Sequence, residues 1–230
     1  MTYNNFRFEK KYVISFQTAF ILQQKLDHIM KKDKNGPDGY LIRSLYFDDM
    51  YNSGFYDKIN GFSKRKKYRI RLYDYKTDFV KFEVKERQDQ YIRKTSIKLS
   101  PDDLKNIQNH NYIFLLSRGE FGQELYLQLT AKGLKPHLLI DYFRKAYTLD
   151  YNNIRITFDE NISYYPPSWD LTNRTFYSSN FNKDFVVLEI KFDNFLPNYL
   201  MPVFEGLIES RQQFSKYVNG RFALIDCGII

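Results

Sequence analysis

The sequence predicts an α+β fold built on a sheet with one charged face and one apolar face. Three observations point there. Charged residues recur on every second position inside otherwise apolar stretches: Arg7-Phe8-Glu9-Lys10-Lys11, Arg69-Ile70-Arg71, Lys81-Phe82-Glu83-Val84-Lys85, Arg155-Ile156-Thr157 and Glu189-Ile190-Lys191. Successive strand side chains point to opposite faces, so each stretch sorts its charges from its hydrophobes. Phe (21) and Tyr (20) dominate the aromatics, and both suit half-buried pleated surfaces. Short segments with helical spacing lie between the strands and supply the α component.

The elements follow in order. Residues 6–14 read as a strand. Phe20, Leu22, Leu26, Ile29 and Met30 recur at helical spacing, and the run Lys-Lys-Asp-Lys-Asn-Gly-Pro at 31–37 stops that helix. Residues 40–47 read as a strand, and Asp48, Asp49, Asn52 and Gly54 mark a turn or short helical crossover. A turn at 61–63 precedes strands at 65–73 and 78–87, joined by a hairpin loop at 74–77. Residues 91–99 form a further strand. Ser100-Pro101-Asp102-Asp103 carries an N-cap Ser, a Pro at the first helical position and acids on the positive dipole end. Phe121, Leu125 and Leu129 predict a second helical stretch before Gly133. Residues 137–149 and 153–162 read as a hairpin, 163–183 as a loop and 185–192 as the last clear strand. Residues 197–210 are expected to be helical through Leu200, Val203, Phe204, Leu207 and Ile208, and the tail, 214–230, packs back. No Pro- or Ser-rich linker interrupts the chain, so residues 1–230 are expected to form a single domain.

The formal net charge of +8 favours acidic partners: nucleic acid, phosphate-rich small molecules or an anionic membrane surface. With Cys227 as the single cysteine and only 3 His, neither an internal disulfide nor a Cys/His zinc framework can form. The start of the chain lacks a basic segment followed by an apolar run, and no stretch of about 18 apolar residues occurs. These features lead to the expectation of a cytoplasmic protein.

In a two-layer protein helices cover the apolar face of the sheet, leaving the charged face to be explained. An open charged face would be a basic surface of nucleic-acid type. A sheet closed with its charges inward would be a polar tunnel, and a polyphosphate could offset its Arg and Lys. Arg grips phosphate oxygens with a planar fork and Lys acts as a mobile point charge. Divalent Mg or Mn prefers carboxylate and phosphate oxygens, so a Glu beside Lys on one strand face can place a metal next to a phosphate chain.

Eight segments, in this order along the chain, carry a resemblance. They are Arg7-Phe8-Glu9-Lys10-Lys11-Tyr12, Arg43-Ser44-Leu45-Tyr46-Phe47-Asp48, Arg69-Ile70-Arg71-Leu72-Tyr73 and Phe82-Glu83-Val84-Lys85. Then come Tyr142-Phe143-Arg144-Lys145-Ala146-Tyr147, Arg155-Ile156-Thr157-Phe158-Asp159, Leu188-Glu189-Ile190-Lys191 and Phe214-Ser215-Lys216-Tyr217. Together they resemble the VTC-type polyphosphate polymerase domain of the CYTH, or triphosphate tunnel metalloenzyme, superfamily. The resemblance implies an antiparallel β-barrel forming a tunnel with flanking helices, and transfer of the γ-phosphate of ATP to a growing polyphosphate chain with Mn or Mg. It implies ATP and polyphosphate or inorganic phosphate as partners, and not nucleic acid.

By motif position the resemblance makes Arg69, Arg71, Lys85 and Arg155 the catalytic phosphate grips. It makes Lys11, Lys94, Arg144, Lys191 and Lys216 further phosphate or ATP ligands, with Lys98 an alternative register for Lys94. Glu189 matches the metal-binding carboxylate, and Glu83 and Glu9 stand behind it as metal candidates. Two departures matter. Arg7 occupies the first position of the hydrolase-type Glu-x-Glu-x-Lys start, which argues against a two-metal triphosphatase. Gln213 stands where the eukaryotic polymerases carry another Lys.

Each residue also has an ordinary reading. Lys11, Lys85 or Arg144 alone is a solvated strand charge, and Glu83 or Glu189 beside Lys is a cross-strand ion pair. Asp48-Asp49 is turn chemistry, Asp159 ends its strand, and 65–67 is partly solvated. His28, His110 and His137 have no metal spacing, and the tyrosines pack the sheet. The repeated alternation is what favours a collective site. Two other functions keep their place: a tripolyphosphate or nucleoside triphosphate hydrolase of the same fold, and a non-catalytic polyphosphate-binding module.

Overall fold

The computed structural model describes residues 7–89, 91–174, 185–207 and 214–229. Residue 6 of the first expected strand, the loop residues 175–183, the helix end at 208–210 and Gln213 lie outside the described residues. Among the described residues nine strands form a mainly antiparallel sheet accompanied by helices, the α+β class expected. The chain clusters into two compact units, each built from three separate segments.

The first unit comprises residues 1–41, 142–162 and 180–215. Its strand order is β1 (Arg7–Ser15), β9 (Phe185–Asp193), β8 (Ile154–Tyr165) and β7 (Lys135–Leu149), with the short β2 (Lys31–Lys32) on β7. Strands β7 and β8 run on into the second unit. Helix α1 (Phe16–Asp27) starts where the Ser15 side chain accepts from the Thr18 amide at 3.0 Å. It buries Ala19, Leu22 and Leu26 against Ile156, Phe158, Leu188 and Ile190, which are the even-numbered strand positions. Phe20 has the expected helical spacing but is 63% exposed, because it points away from that stripe. The helix expected at 197–210 is short. A 3₁₀ turn at Asn198–Leu200 leads into α5 (Met201–Phe204), and Glu205 is already extended, with Gly206 at φ 71° after it.

The second unit comprises residues 42–141, 163–179 and 216–230. Its order is β7, β3 (Tyr40–Asp48), β4 (Arg65–Tyr73), β5 (Lys76–Gln88) and β6 (Tyr91–Leu99). Among the described residues neither run of strands closes on itself: β1 ends the first and β6 the second. Asp74 and Tyr75, both at positive φ (50° and 58°), make the tight β4–β5 turn, so β5 starts earlier than the sequence predicts. Leu45, Phe47, Ile70, Leu72, Phe82 and Val84 form the core face. It is covered by α3 (Pro101–Gln108), a 3₁₀ turn at Ile113–Ser117 and α4 (Gly119–Ala131), through Ile107, Leu115, Leu125 and Leu129. Ser100 and Asp103 complete a reciprocal capping box at α3. Helix α2 (Ser53–Ile59) begins on Asp48, whose carboxylate accepts from the amides of Gly54 (2.9 Å) and Phe55 (3.0 Å). The tail forms α6 (Lys216–Asp226).

Candidate functional site

In the second unit the strand register assembles the charges that the alternation predicts on the face opposite the core. Tyr46, Arg69, Glu83 and Ser96 lie in one cross-strand row, and Ser44, Arg71, Lys81 and Lys98 in the next. Lys67, Lys85 and Lys94 make a third. Like charges placed directly opposite one another destabilise a sheet. Glu83 is the one carboxylate in these rows, and it gathers three cations. Arg69 Nη2 lies at 2.8 Å, Lys94 Nζ at 2.5 Å and Arg71 Nη1 at 3.7 Å from its oxygens. Burial alone would raise the Glu83 carboxyl, but Arg69, Arg71 and Lys94 pull it down to about 2. Lys94 reaches Glu83, while Lys98 lies opposite Lys81 in an adjacent row of the same face.

Other groups complete this patch. Arg69 donates from Nη1 to the Tyr46 hydroxyl at 3.0 Å, and Arg71 from Nε to Ser44 Oγ at 3.4 Å. Lys216 is half-buried at the start of α6, and its charge acts on Tyr46. Arg43 belongs to the same motif as Tyr46 but sits on the other face. It is 1% exposed and grips Asp141 through Nε at 2.8 Å and Nη2 at 2.6 Å. It also donates to the carbonyls of Leu171 and Asn173. Arg43 is thus part of the scaffold. Lys66 on that side pairs with Glu124 of α4 at 2.6 Å rather than being solvated.

The first unit carries a second charged patch of different balance. Glu9, Lys191 and Arg155 form one cross-strand row, and Lys11, Glu189 and Thr157 the adjacent one. Lys11 Nζ lies 3.1 Å from Glu9 and 3.3 Å from Glu189, and Lys191 Nζ lies 3.2 Å from Glu189. Burial alone would lower the Lys11 ammonium, yet Glu189 and Glu9 raise it above its ordinary value. Burial likewise works against ionised Glu189, and Lys11, Lys191, Glu9 and Arg144 hold its carboxyl well below the usual range.

Arg144 is gripped side-on by Asp159, donating from Nε at 2.6 Å and from Nη2 at 2.8 Å. The expectation that Asp159 ends its strand is corrected. It lies inside β8 and is fully buried because it anchors Arg144. Arg155 bonds Asp33 at 2.5 Å and the Tyr40 hydroxyl at 3.1 Å. Asp33 went unnoticed in the sequence because it sits in a polar run that reads as a helix stop. The spacing of Tyr46, Ser44 and Thr157 did carry a signal: each occupies a charged-face position.

No group of three or more His, Cys, Asp or Glu side chains converges as a metal cage among the described residues. The two metal candidates differ in fit. Both face three cations, Glu83 meeting Arg69, Arg71 and Lys94 and Glu189 meeting Lys11, Lys191 and Arg144, but Glu83 is the one carboxylate of its rows. Glu189 shares Lys11 with Glu9 and lies across from Thr157, whose buried Oγ1 has no hydrogen-bond partner. These oxygen donors suit a hard ion of the Mg type, which takes one or two carboxylates and completes its shell with water and phosphate oxygens.

A family profile described as the VTC domain matches residues 6–225. No curated protein matches the chain. Solved structures to which the chain has some likeness include a Bacillus halodurans protein provisionally described as an adenylate cyclase, at 17% identity and TM-score 0.48, covering 98% of this chain and 91% of that one. They also include the PH1819 protein of Pyrococcus horikoshii, at 11% identity and TM-score 0.49, covering 92% of this chain and 97% of that one.

Proposed function

The chain belongs to the VTC domain family, and on that premise we propose that it is a polyphosphate polymerase using ATP. One observation carries the reading. In the second unit Arg69, Arg71, Lys67, Lys81, Lys85, Lys94 and Lys98 share a strand face with one carboxylate. A face with so many cations and one carboxylate favours a polyanion, whose phosphate oxygens accept hydrogen bonds from Arg and Lys.

The roles follow from position. Arg69 and Arg71 grip phosphate oxygens, with Lys85, Lys94 and Lys216 as mobile charges around them. Glu83 keeps the two guanidiniums apart and pointed, as a positioning residue. In the first unit Arg155, Arg144, Lys11 and Lys191 offer further phosphate contacts, each held by a carboxylate. Glu189, with Glu9, would hold Mg or Mn, which when bound neutralises charge on phosphate oxygens. The terminal phosphate of a polyphosphate primer, or free phosphate, attacks the γ-phosphorus in line, and ADP leaves. No Cys or Ser nucleophile is needed, because phosphoryl transfer rests on positioning and charge stabilisation.

The hydrolase alternative needs water in place of the primer at the same face, and the binding module needs no transfer at all. Arg69→Ala is expected to lower the transfer rate by about 10²–10³, as for loss of one transition-state donor. An Arg69→Ala protein with wild-type turnover contradicts the proposed role. A Glu189→Ala protein that keeps full activity and metal dependence removes the metal assignment.

A further inference from the structure

The Tyr46 side chain, absent from the sequence-predicted site, has a hydrogen-bonding defect that points to a ligand. Tyr46 is 6% exposed, and its hydroxyl accepts from Arg69 Nη1 at 3.0 Å. A phenol also donates, and among the described residues its proton has no acceptor. A buried hydroxyl proton left unbonded is costly. The ring stacks on Tyr217 at 5.4 Å and 21°, and Tyr217 donates to Asp48 at 2.6 Å, so packing on that side supports the ring where it stands. Cations surround the hydroxyl: Arg69 and Arg71 of β4 and Lys216 of α6.

We propose that the Tyr46 hydroxyl is a phosphate ligand, donating its proton to a phosphate oxygen held between Arg69, Arg71 and Lys216. An anionic oxygen is the acceptor that these three cations favour, and the bond would be charge-assisted. Arg69 then serves twice, donating to Tyr46 and to the anion, so the phenol fixes the guanidinium that grips the same phosphate. The inference rests on the polyphosphate reading of this face. The cations act on the free phenol in the same sense: burial alone would raise its pKa, and Arg69, Arg71 and Lys216 bring it below the ordinary value of 10.0. Other titratable groups around it are the phenols of Tyr164 and Tyr217 and, one contact further out, the carboxylates of Glu83 on Arg69 and of Asp48 on Tyr217.

The test uses inorganic tripolyphosphate and the whole chain without nucleotide. Tyr46→Phe keeps the stacked ring and lacks only the hydroxyl. Its affinity for tripolyphosphate is expected to fall about tenfold or more, with Tm in the absence of ligand close to wild type. In the wild type at alkaline pH, adding tripolyphosphate is expected to reduce tyrosinate absorbance, because the bound anion keeps the proton on Tyr46. Tyr46→Phe should lack that change. Equal affinity of the two proteins, or an absorbance change that survives in Tyr46→Phe, overturns the assignment while leaving the polyanion face intact. Failure of the wild type to bind tripolyphosphate overturns both readings.

Discussion

At the scale of single residues, the patch in the second unit turns on Glu83. Its carboxylate is 2% exposed and faces three cations, so removing its charge takes a buried counter-ion from all three. Glu83→Gln is expected to cost about 3–5 kcal/mol of stability, the range for breaking a buried ion pair. Denaturant titration measures that cost. Added tripolyphosphate should stabilise Glu83→Gln more than the wild type, because the ligand replaces the lost negative charge. The pH dependence has a definite sign. The carboxyl is depressed from 4.5 to about 2, so its contribution is complete above 4.5 and is lost as pH falls through about 2. Acid unfolding of Glu83→Gln should therefore show a shallower limb across that window.

The same scale shows how legible the site was. Strand alternation alone put Arg69, Arg71, Glu83 and Lys85 on one face, and the register confirms that placement. Alternation could not say that Arg43 lies on the opposite face. An Arg in an apolar strand looks the same from either side until its partner is known. That partner, Asp141, is distant in sequence. Tyr46 escaped notice for the converse reason: its spacing put it on the charged face, but a tyrosine in a strand reads as packing until its hydrogen bonds are known.

At the scale of elements, local chemistry predicts the ends well and the lengths poorly. The Ser100 cap was legible because its partners lie three residues on, and Ser100→Ala should lower stability by about 1 kcal/mol. Helix α5 was over-read because apolar spacing continues through residues 200–207, while the extended Glu205 and the turn at Gly206 stop the backbone. Helix α6 is seated at Gly220. A Cβ there would meet Tyr164 Cδ1 at 2.5 Å and Leu138 Cδ2 at 2.7 Å. Gly220→Ala is expected to destabilise the second unit by about 1–3 kcal/mol, through overpacking that outweighs any helix-propensity gain. A thermal melt of the variant with unchanged or raised Tm would show that α6 has room to shift.

At the scale of the whole molecule, the two units divide their charge differently. The first balances Lys11, Lys191, Arg144 and Arg155 against Glu9, Glu189, Asp159 and Asp33. The second leaves a basic excess around Glu83. A net charge of +8 favours an acidic partner but gives no place for it. The place depends on which strands pair, and pairing between segments far apart in sequence is not written in local periodicity. No helix is long and apolar enough to cross a membrane among the described residues. The most direct measurement is to supply ATP labelled on its γ-phosphate with Mg or Mn and to follow the label, polymer length and ADP together. The account predicts label entering a lengthening polyphosphate, with one ADP formed for each phosphate added. Label released only as free phosphate, or ATP left intact, would contradict it.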